Sequence, residues 1–292
     1  MSKLVILGAS SSVGRHLWNH LGPERAIGTY RANPIAGGRP FDSVTQRATD
    51  ILRPGEASHA AILLADPQPD SCIKDPEASR RLNVTAMTRL CQDLWALGIT
   101  PIFASTEFVF DGAGGEYTEE DEARPILLYG RQKKEVEDFL ACSGRPHVIL
   151  RFAKVYGDRP GDGTIFTVWA AQLLSGTRTM RCASDQAFSP VFVGDVGDAI
   201  VRAAERNLAG LFHLSGNHRF NRLELLEMTI AAIRRRRPLD LEIQPCSIDD
   251  FNLPEPRPKD VSMRSDKLAA AAGLVFADTE AKVDRIVADT LG

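Results

Sequence analysis

The sequence predicts an α/β protein: a doubly wound parallel sheet with a smaller C-terminal α/β lobe. Three observations carry this. Short apolar runs of strand length alternate with amphipathic stretches of helical spacing over residues 3–152. The apolar runs are continuous, as in strands covered on both faces. Past residue 152 the alternation loosens and a Pro-rich passage appears.

KLVILG (3–8) is a strand that ends in glycine, and VGRHLWNHL (13–21) follows with helical spacing. AIGTY (26–30) and HAAILLA (59–65) are the next strands. SRRLNVTAMTRLCQDLWALG (79–98) reads as one amphipathic helix stopped by Gly98. ITPIFAST (99–106) is a strand, and residues 107–126 form an acidic, Gly-rich loop. A helix from Tyr129 to about Cys142 and a strand HVILRF (147–152) complete the alternation, which implies right-handed crossovers. Beyond lie a loop GDRPGDGT (157–164), helices at 165–176 and 195–207, a strand at 210–216 and a helix at 222–236. Arg234–Arg237 close that last helix, where cations complement the helix dipole and Pro238 stops the chain from continuing it.

Composition narrows the function classes. Over 292 residues, 43% are hydrophobic and 25% charged, ordinary for a globular chain. The net charge of −3 gives no reason to expect nucleic acid or an acidic membrane surface as partner. No apolar run approaches the ~20 residues of a membrane span. The N-terminus enters a strand directly, so no signal peptide is expected. The five cysteines are scattered without a CxxC pair, which predicts reduced thiols, a cytoplasmic protein and no metal site.

The chemistry starts at the first turn, Gly8-Ala-Ser10-Ser11-Ser12-Val13-Gly14, between a strand and a helix. Here backbone N–H groups face a pyrophosphate and Gly14 allows close helix–strand packing, as in a Rossmann-type dinucleotide site. Ser11 occupies the position of the usual middle glycine and adds a hydroxyl. The second strand ends in Thr29-Tyr30-Arg31, with no acid for the ribose hydroxyls of NAD; Arg31 favours the 2′-phosphate of NADP. Asp42 is placed near the adenine. At the carboxyl end of ITPIFAST come Ser105, Thr106, Glu107 and Phe108, where parallel sheets bind ligands. Tyr129 and Lys133 then stand four apart on one helix face. An ammonium beside a phenol is expected to draw the phenol's pKa down from about 10, fitting it for proton transfer.

These pieces resemble an extended short-chain dehydrogenase/reductase, most closely the dTDP-4-dehydrorhamnose reductase (sugar-nucleotide-binding) family. STEFVFDG (105–112) and LLYGRQKKEVE (127–137) carry the likeness jointly; RFAKVYG (151–157), DQAFSP (185–190) and PEPRPKDVSM (254–263) follow in order. The resemblance implies hydride transfer from NADPH to a 4-keto sugar nucleotide, with Thr106, Tyr129 and Lys133 as the catalytic set and a homodimer as the assembly. It implies a cofactor site that also includes Leu64, Ala65 and Asn83, and substrate contacts from Ser105, Thr106, Glu107, Phe108, Lys154 and Arg257. The expected organisation is an NADP-binding domain over 1–152 with return segments at about 191–215, and a substrate-binding lobe over about 153–190 and 216–292. The chain departs from the family's pattern at three places. Phe108 replaces a tyrosine, Lys154 a tryptophan of the sugar pocket, and Leu64-Ala65-Asp66-Pro67-Gln68 an alanine-rich stretch after its strand. A sugar bearing a carboxylate, or a different nucleotide base, suits Lys154. Two further readings stand beside the reductase. One is a non-catalytic NADP-binding regulatory subunit resembling that of methionine adenosyltransferase. The other is a sugar-nucleotide epimerase or dehydratase in which Glu107 acts beside Thr106 and Tyr129.

Overall fold

Apolar runs flanked by turn residues become the strands of one sheet. A computed structural model of the chain describes residues 3–291. The first half runs β1 (Lys3–Leu7), α1 (Ser12–Arg25), β2 (Ala26–Tyr30), β3 (Arg39–Pro40), α2 (Ala48–Ile51), β4 (Ala57–Ile62), α3 (Pro69–Lys74), α4 (Pro76–Arg80), α5 (Met87–Ala96), β5 (Thr100–Thr106), α6 (Leu128–Cys142) and β6 (Val148–Phe152). The second half runs β7 (Val155–Tyr156), α7 (Ile165–Leu174), β8 (Thr179–Ala183), β9 (Ala187–Phe188), β10 (Val191–Phe192), α8 (Val193–Glu205), β11 (Gly210–Leu214), β12 (Phe220–Asn221), α9 (Arg222–Arg234), β13 (Glu242–Cys246), α10 (Asp266–Ala272) and α11 (Thr279–Leu291).

The main sheet has the order β11-β6-β5-β4-β1-β2-β3, and every neighbouring pair is parallel. The chain winds outward from β1 through β2 and β3, then restarts at β4 on the other side of β1. Strand order therefore reverses between β1 and β4, and the crevice beyond their carboxyl ends is where such sheets take ligands. The period of two along β1 sends Leu4 and Ile6 to one core and Val5 and Leu7 to the other. The first core includes Leu17 of α1 and Ile200 of α8, and continues into Phe166, Trp169, Leu225 and Ile286 of the C-terminal elements. The second includes Leu52, Met87 and Leu94, and reaches Val136 and Leu140 of α6. No helix among the described residues is long and apolar enough to cross a membrane.

The structure revises several boundaries. The strand expected at 59–65 ends at Ile62, because the loop after it turns away to bond Asn83. The single helix expected over 79–98 is α4, a π-helical turn Arg81–Ala86, and α5. Asn83 sits within that wider turn, fully buried. The helix expected at 13–21 runs on to Arg25 across a break at Gly22, where φ is 68° ahead of Pro23. α10, α11 and the β8–β13 pair carry no strong signal in the sequence; α11 is held by packing on α7 and α9. Arg235 and Arg236 at the end of α9 both pair with Asp284 of α11.

One ion pair is deeply buried. Arg151 on β6 donates from Nη2 to Glu137 on α6 at 2.7 Å and from Nε at 3.0 Å, with the two side chains 4% and 5% exposed. Ser105 on β5 donates to the same carboxylate. Arg151 also approaches His213 on β11, whose Nδ1 meets the Tyr117 carbonyl oxygen at 3.1 Å. Removing the carboxylate by Glu137→Ala leaves the arginine charge buried and unpaired. We expect a loss of about 3–5 kcal/mol in unfolding free energy, read from urea denaturation. A loss of less than about 1 kcal/mol, the size of an exposed pair, would mean that this pair is hydrated in solution.

Candidate active site

The glycine-rich turn joins β1 to α1 at the crevice. Close approach requires Gly14: a Cβ there would lie 2.2 Å from the Gly8 carbonyl oxygen. Ser11, at the expected middle-glycine position, is the helix N-cap; its hydroxyl accepts from the Gly14 N–H at 3.1 Å. Thr29 at the end of β2 braces the turn, its Oγ1 accepting from the Gly8 N–H at 3.1 Å. The Ser12 and Val13 N–H groups have no protein acceptor among the described residues. A cavity of about 380 Å³ opens beside them, lined by Ser10, Ser12, Arg15, His16 and the 157–162 loop. Free N–H donors at a helix start, with an arginine beside them, suit a dinucleotide pyrophosphate.

Leu64 packs against Gly8. Arg31 is exposed just past β2 and makes no ion pair among the described residues. The Phe41 N–H bonds the Tyr30 carbonyl oxygen at 2.8 Å, which brings Asp42 beside that strand end. Asp42 itself closes a local turn, accepting from the Val44 N–H. Asn83 holds the loop containing Ala65: its Oδ1 accepts from the Asp66 N–H at 2.8 Å, and its Nδ2 donates to the Asp66 carbonyl oxygen and to Gln132. Its amide therefore braces the loop at the site's edge.

Tyr129, Lys133 and Glu137 follow one another at intervals of four on the buried face of α6. Lys133 donates from Nζ to the Ala104 carbonyl oxygen at 2.7 Å, two residues before Thr106. On the other side, Gly130 meets the short turn Glu107–Val109; a Cβ at Gly130 would lie 2.0 Å from the Phe108 carbonyl oxygen. The helix is thus pinned to β5 on both sides of Thr106, by Lys133 at Ala104 and by Gly130, next to Tyr129, at Phe108. Thr106 also accepts from the Phe108 N–H at 3.3 Å.

The electrostatics differ from the sequence expectation. Lys133 Nζ lies 4.5 Å from the Phe103 ring centroid and 5.8 Å from that of Tyr129. Burial raises the Tyr129 pKa, with Cys72 and Asp66 adding to the rise. The expected fall does not occur, because loss of water around the phenol outweighs a neighbouring ammonium whose proton is directed at a carbonyl. Burial likewise draws Lys133 down to about 8, opposed by the Glu137 and Cys72 charges.

The expected substrate residues divide. Ser105 is 4% exposed and donates to Glu137, so it serves the core network. Arg257 pairs with Asp70 and donates to the Glu255 carbonyl oxygen at 3.1 Å. Glu107 is buried beside Thr106, and burial pushes its carboxyl up to about 8, opposed by Lys154. Its Oε2 accepts from the Lys154 N–H at 3.2 Å. The Lys154 ammonium has no hydrogen bond or ion pair among the described residues. Phe108 stays in the turn against Gly130.

Several site residues left no sequence signal. Glu255, in the Pro-rich passage, accepts from the Leu128 N–H at 2.9 Å and so caps α6 from 127 residues away. Cys72 donates to the Asp66 carbonyl oxygen, and burial pushes its thiol up to about 11. Gln132 links Asn83 to Ser79. Only their distant partners define these roles. The α9 start was legible: Asn221 and Glu224 form a capping box immediately around Arg222. A separate cavity of about 850 Å³, lined by Lys3, Leu4, Glu24 and Arg25 among others, lies at the opposite, amino-terminal edge of the sheet.

The family model described as the RmlD substrate binding domain matches residues 2–291. A dTDP-4-dehydrorhamnose reductase of Sinorhizobium fredii is 27% identical over 260 residues, covering 86% of this chain and 87% of its own. The methionine adenosyltransferase 2 subunit beta of Rattus norvegicus is 26% identical over 240 residues, covering 76% of this chain and 70% of its own. Among solved structures, a dTDP-4-dehydrorhamnose reductase of Bacillus anthracis in complex with NADP shares the fold. Its TM-score is 0.83 at 20% identity, across 98% of this chain and 99% of that one.

The contact at Gly14 generates a test. Gly14→Ala must part α1 from the β1 turn and tilt the free N–H groups. We expect dinucleotide affinity to fall by about tenfold or more, read by fluorescence titration, since about 1.4 kcal/mol of lost contact suffices. Unchanged affinity would separate the turn from the cofactor site.

Proposed function

The chain belongs to the RmlD substrate binding domain family, and from that premise we propose that it is an NADPH-dependent reductase of a keto group on a nucleotide-activated sugar. One observation carries the proposal: α6 presents Tyr129 and Lys133 at the carboxyl end of β5, where Thr106 stands. NADPH supplies the hydride that reaches the carbonyl carbon. Thr106 and Tyr129 hydrogen-bond the carbonyl oxygen, and Tyr129 gives it a proton, so that ketone becomes alcohol. A phenol whose pKa is raised by burial is fully protonated at neutral pH, the form that a reduction needs. Lys133, still largely cationic at neutral pH, orders the cofactor ribose and stabilises the tyrosinate left behind. Ser12, Val13 and Arg15 hold the pyrophosphate, and Arg31 the 2′-phosphate. In this reading residues 1–152, with return segments at about 191–215, carry the cofactor, and the remaining C-terminal elements carry the sugar.

The likeness to methionine adenosyltransferase 2 subunit beta supports a second reading, an NADP-binding regulatory subunit that performs no chemistry. Turnover separates the two. NADPH oxidation at 340 nm against a panel of 4-keto sugar nucleotides is expected to single out at least one substrate. With it, Tyr129→Phe should reduce kcat by about 10²-fold or more, the usual worth of a general acid, and leave NADPH binding nearly intact. Wild-type turnover in that variant would sink the assignment. NADPH binding without any turnover would favour the regulatory reading.

The cofactor preference is tested at Arg31. Arg31→Met should weaken NADPH binding by about tenfold, worth about 1.4 kcal/mol, and leave NADH binding unchanged. Equal weakening of both dinucleotides would remove the 2′-phosphate from Arg31.

A further inference from the structure

Two cations of the C-terminal half, Lys154 and Arg222, make no ion pair among the described residues. Lys154 leaves the carboxyl end of β6, whose Phe152 is in register with Thr106. Its backbone is fixed there by the hydrogen bond to Glu107, while its ammonium bonds nothing among the described residues. Arg222 opens α9, where its N–H bonds the Gln186 carbonyl oxygen at 2.8 Å. Its guanidinium lies 5.4 Å from the Trp169 ring centroid and makes no ion pair among the described residues. Lys154 is exposed and Arg222 half-buried, and the surrounding protein lowers the pKa of both by desolvation. Arg222 is also near enough to act on the Lys154 charge. Among the described residues the acid that acts on Lys154 is Glu107, itself buried and pushed toward its neutral form. Like charges held near one another with little opposing charge are stabilised by an incoming anion.

We propose that Lys154 and Arg222 form a subsite for a carboxylate on the sugar, so that the substrate is a nucleotide-linked acidic keto sugar. The inference rests on the reductase reading above and narrows its substrate class. Position selects the carboxylate over the diphosphate. Lys154 is anchored to the residue next to Thr106, at the reacting end of the sugar. In a 4-keto pyranose the diphosphate hangs from C1 across the ring, whereas a C6 carboxylate hangs from C5, the neighbour of the reacting carbon. The Trp169 ring lies 5.4 Å from the Arg222 guanidinium and limits its freedom, and a guanidinium can pair a carboxylate with two hydrogen bonds.

The test is isothermal titration calorimetry of the NADPH-loaded full chain. The probes are UDP-glucuronic acid against UDP-glucose, and the same two sugars on dTDP. For at least one base, the glucuronic acid form should bind about tenfold more tightly than the glucose form, a charge-assisted contact's worth. Lys154→Met and Arg222→Met should each bring that ratio toward one, with NADPH affinity as the control for folding. Equal wild-type affinity for the two sugars would overturn the subsite. Variants that weaken both sugars alike would also overturn it, because the cations would then serve the diphosphate. If none of the four nucleotide sugars binds the wild type, the acidic-sugar subsite is overturned as well, whereas the reductase reading stands or falls by the 4-keto panel above.

Discussion

The Glu137 carboxylate is the fixed point of the site. It receives two hydrogen bonds from Arg151 on β6 and one from Ser105 on β5, and it belongs to the same face of α6 as Lys133 and Tyr129. A helix packed only by apolar contacts can slide or roll at modest cost. A bidentate ion pair at its third turn removes that freedom, because any displacement would strand a buried charge. With Glu137 fixed, the interval of four residues carries Lys133 to the Ala104 carbonyl oxygen and Tyr129 to the end of β5. Arg151 passes the constraint on through His213 to the acidic loop, where Glu119 accepts from the His213 N–H at 2.7 Å.

Burial, more than neighbouring charge, sets the protonation of the site. Tyr129, Lys133 and Glu107 are each pushed toward the neutral form by loss of water. For a proton donor in a reduction this is the useful direction, since the phenol holds its proton until a carbonyl oxygen acquires charge. In the proposed reduction the cost falls on the product side, where a tyrosinate must form. Lys133 is the one cation on the same helix face that can offset it, and Glu137 four residues on supports its charge.

The C-terminal half contributes to the site by reaching back over the sheet. The Pro-rich passage caps α6 through Glu255 and pairs Arg257 with Asp70 of α3. Lys154 and Arg222 approach from β6 and α9. None of these contacts is local in sequence, and those of Glu255, Arg257 and Lys154 meet elements of the N-terminal half. These C-terminal segments thereby pack on the frame, while Tyr129 and Lys133 sit within it.

The sequence by itself determined the parallel sheet, the tight glycine-rich turn and the Tyr129–Lys133 pair. Each of these rests on interactions within a few residues: strand-length apolar runs, a glycine where no Cβ fits, and i,i+4 geometry on a helix. The family model's match over residues 2–291 agrees with that local reading. Tertiary structure alone decided what those groups experience. It engaged Ser105 in the Glu137 network, Arg257 in an ion pair with Asp70 and Asn83 in bracing a loop, and it broke one expected helix into a π-helical turn around that asparagine. It also raised the Tyr129 pKa where local charge alone predicted a fall. The physical reason is the same in each case. Spacing along a chain fixes which face a side chain occupies, but its partner and its share of water are set by residues tens or hundreds of positions away.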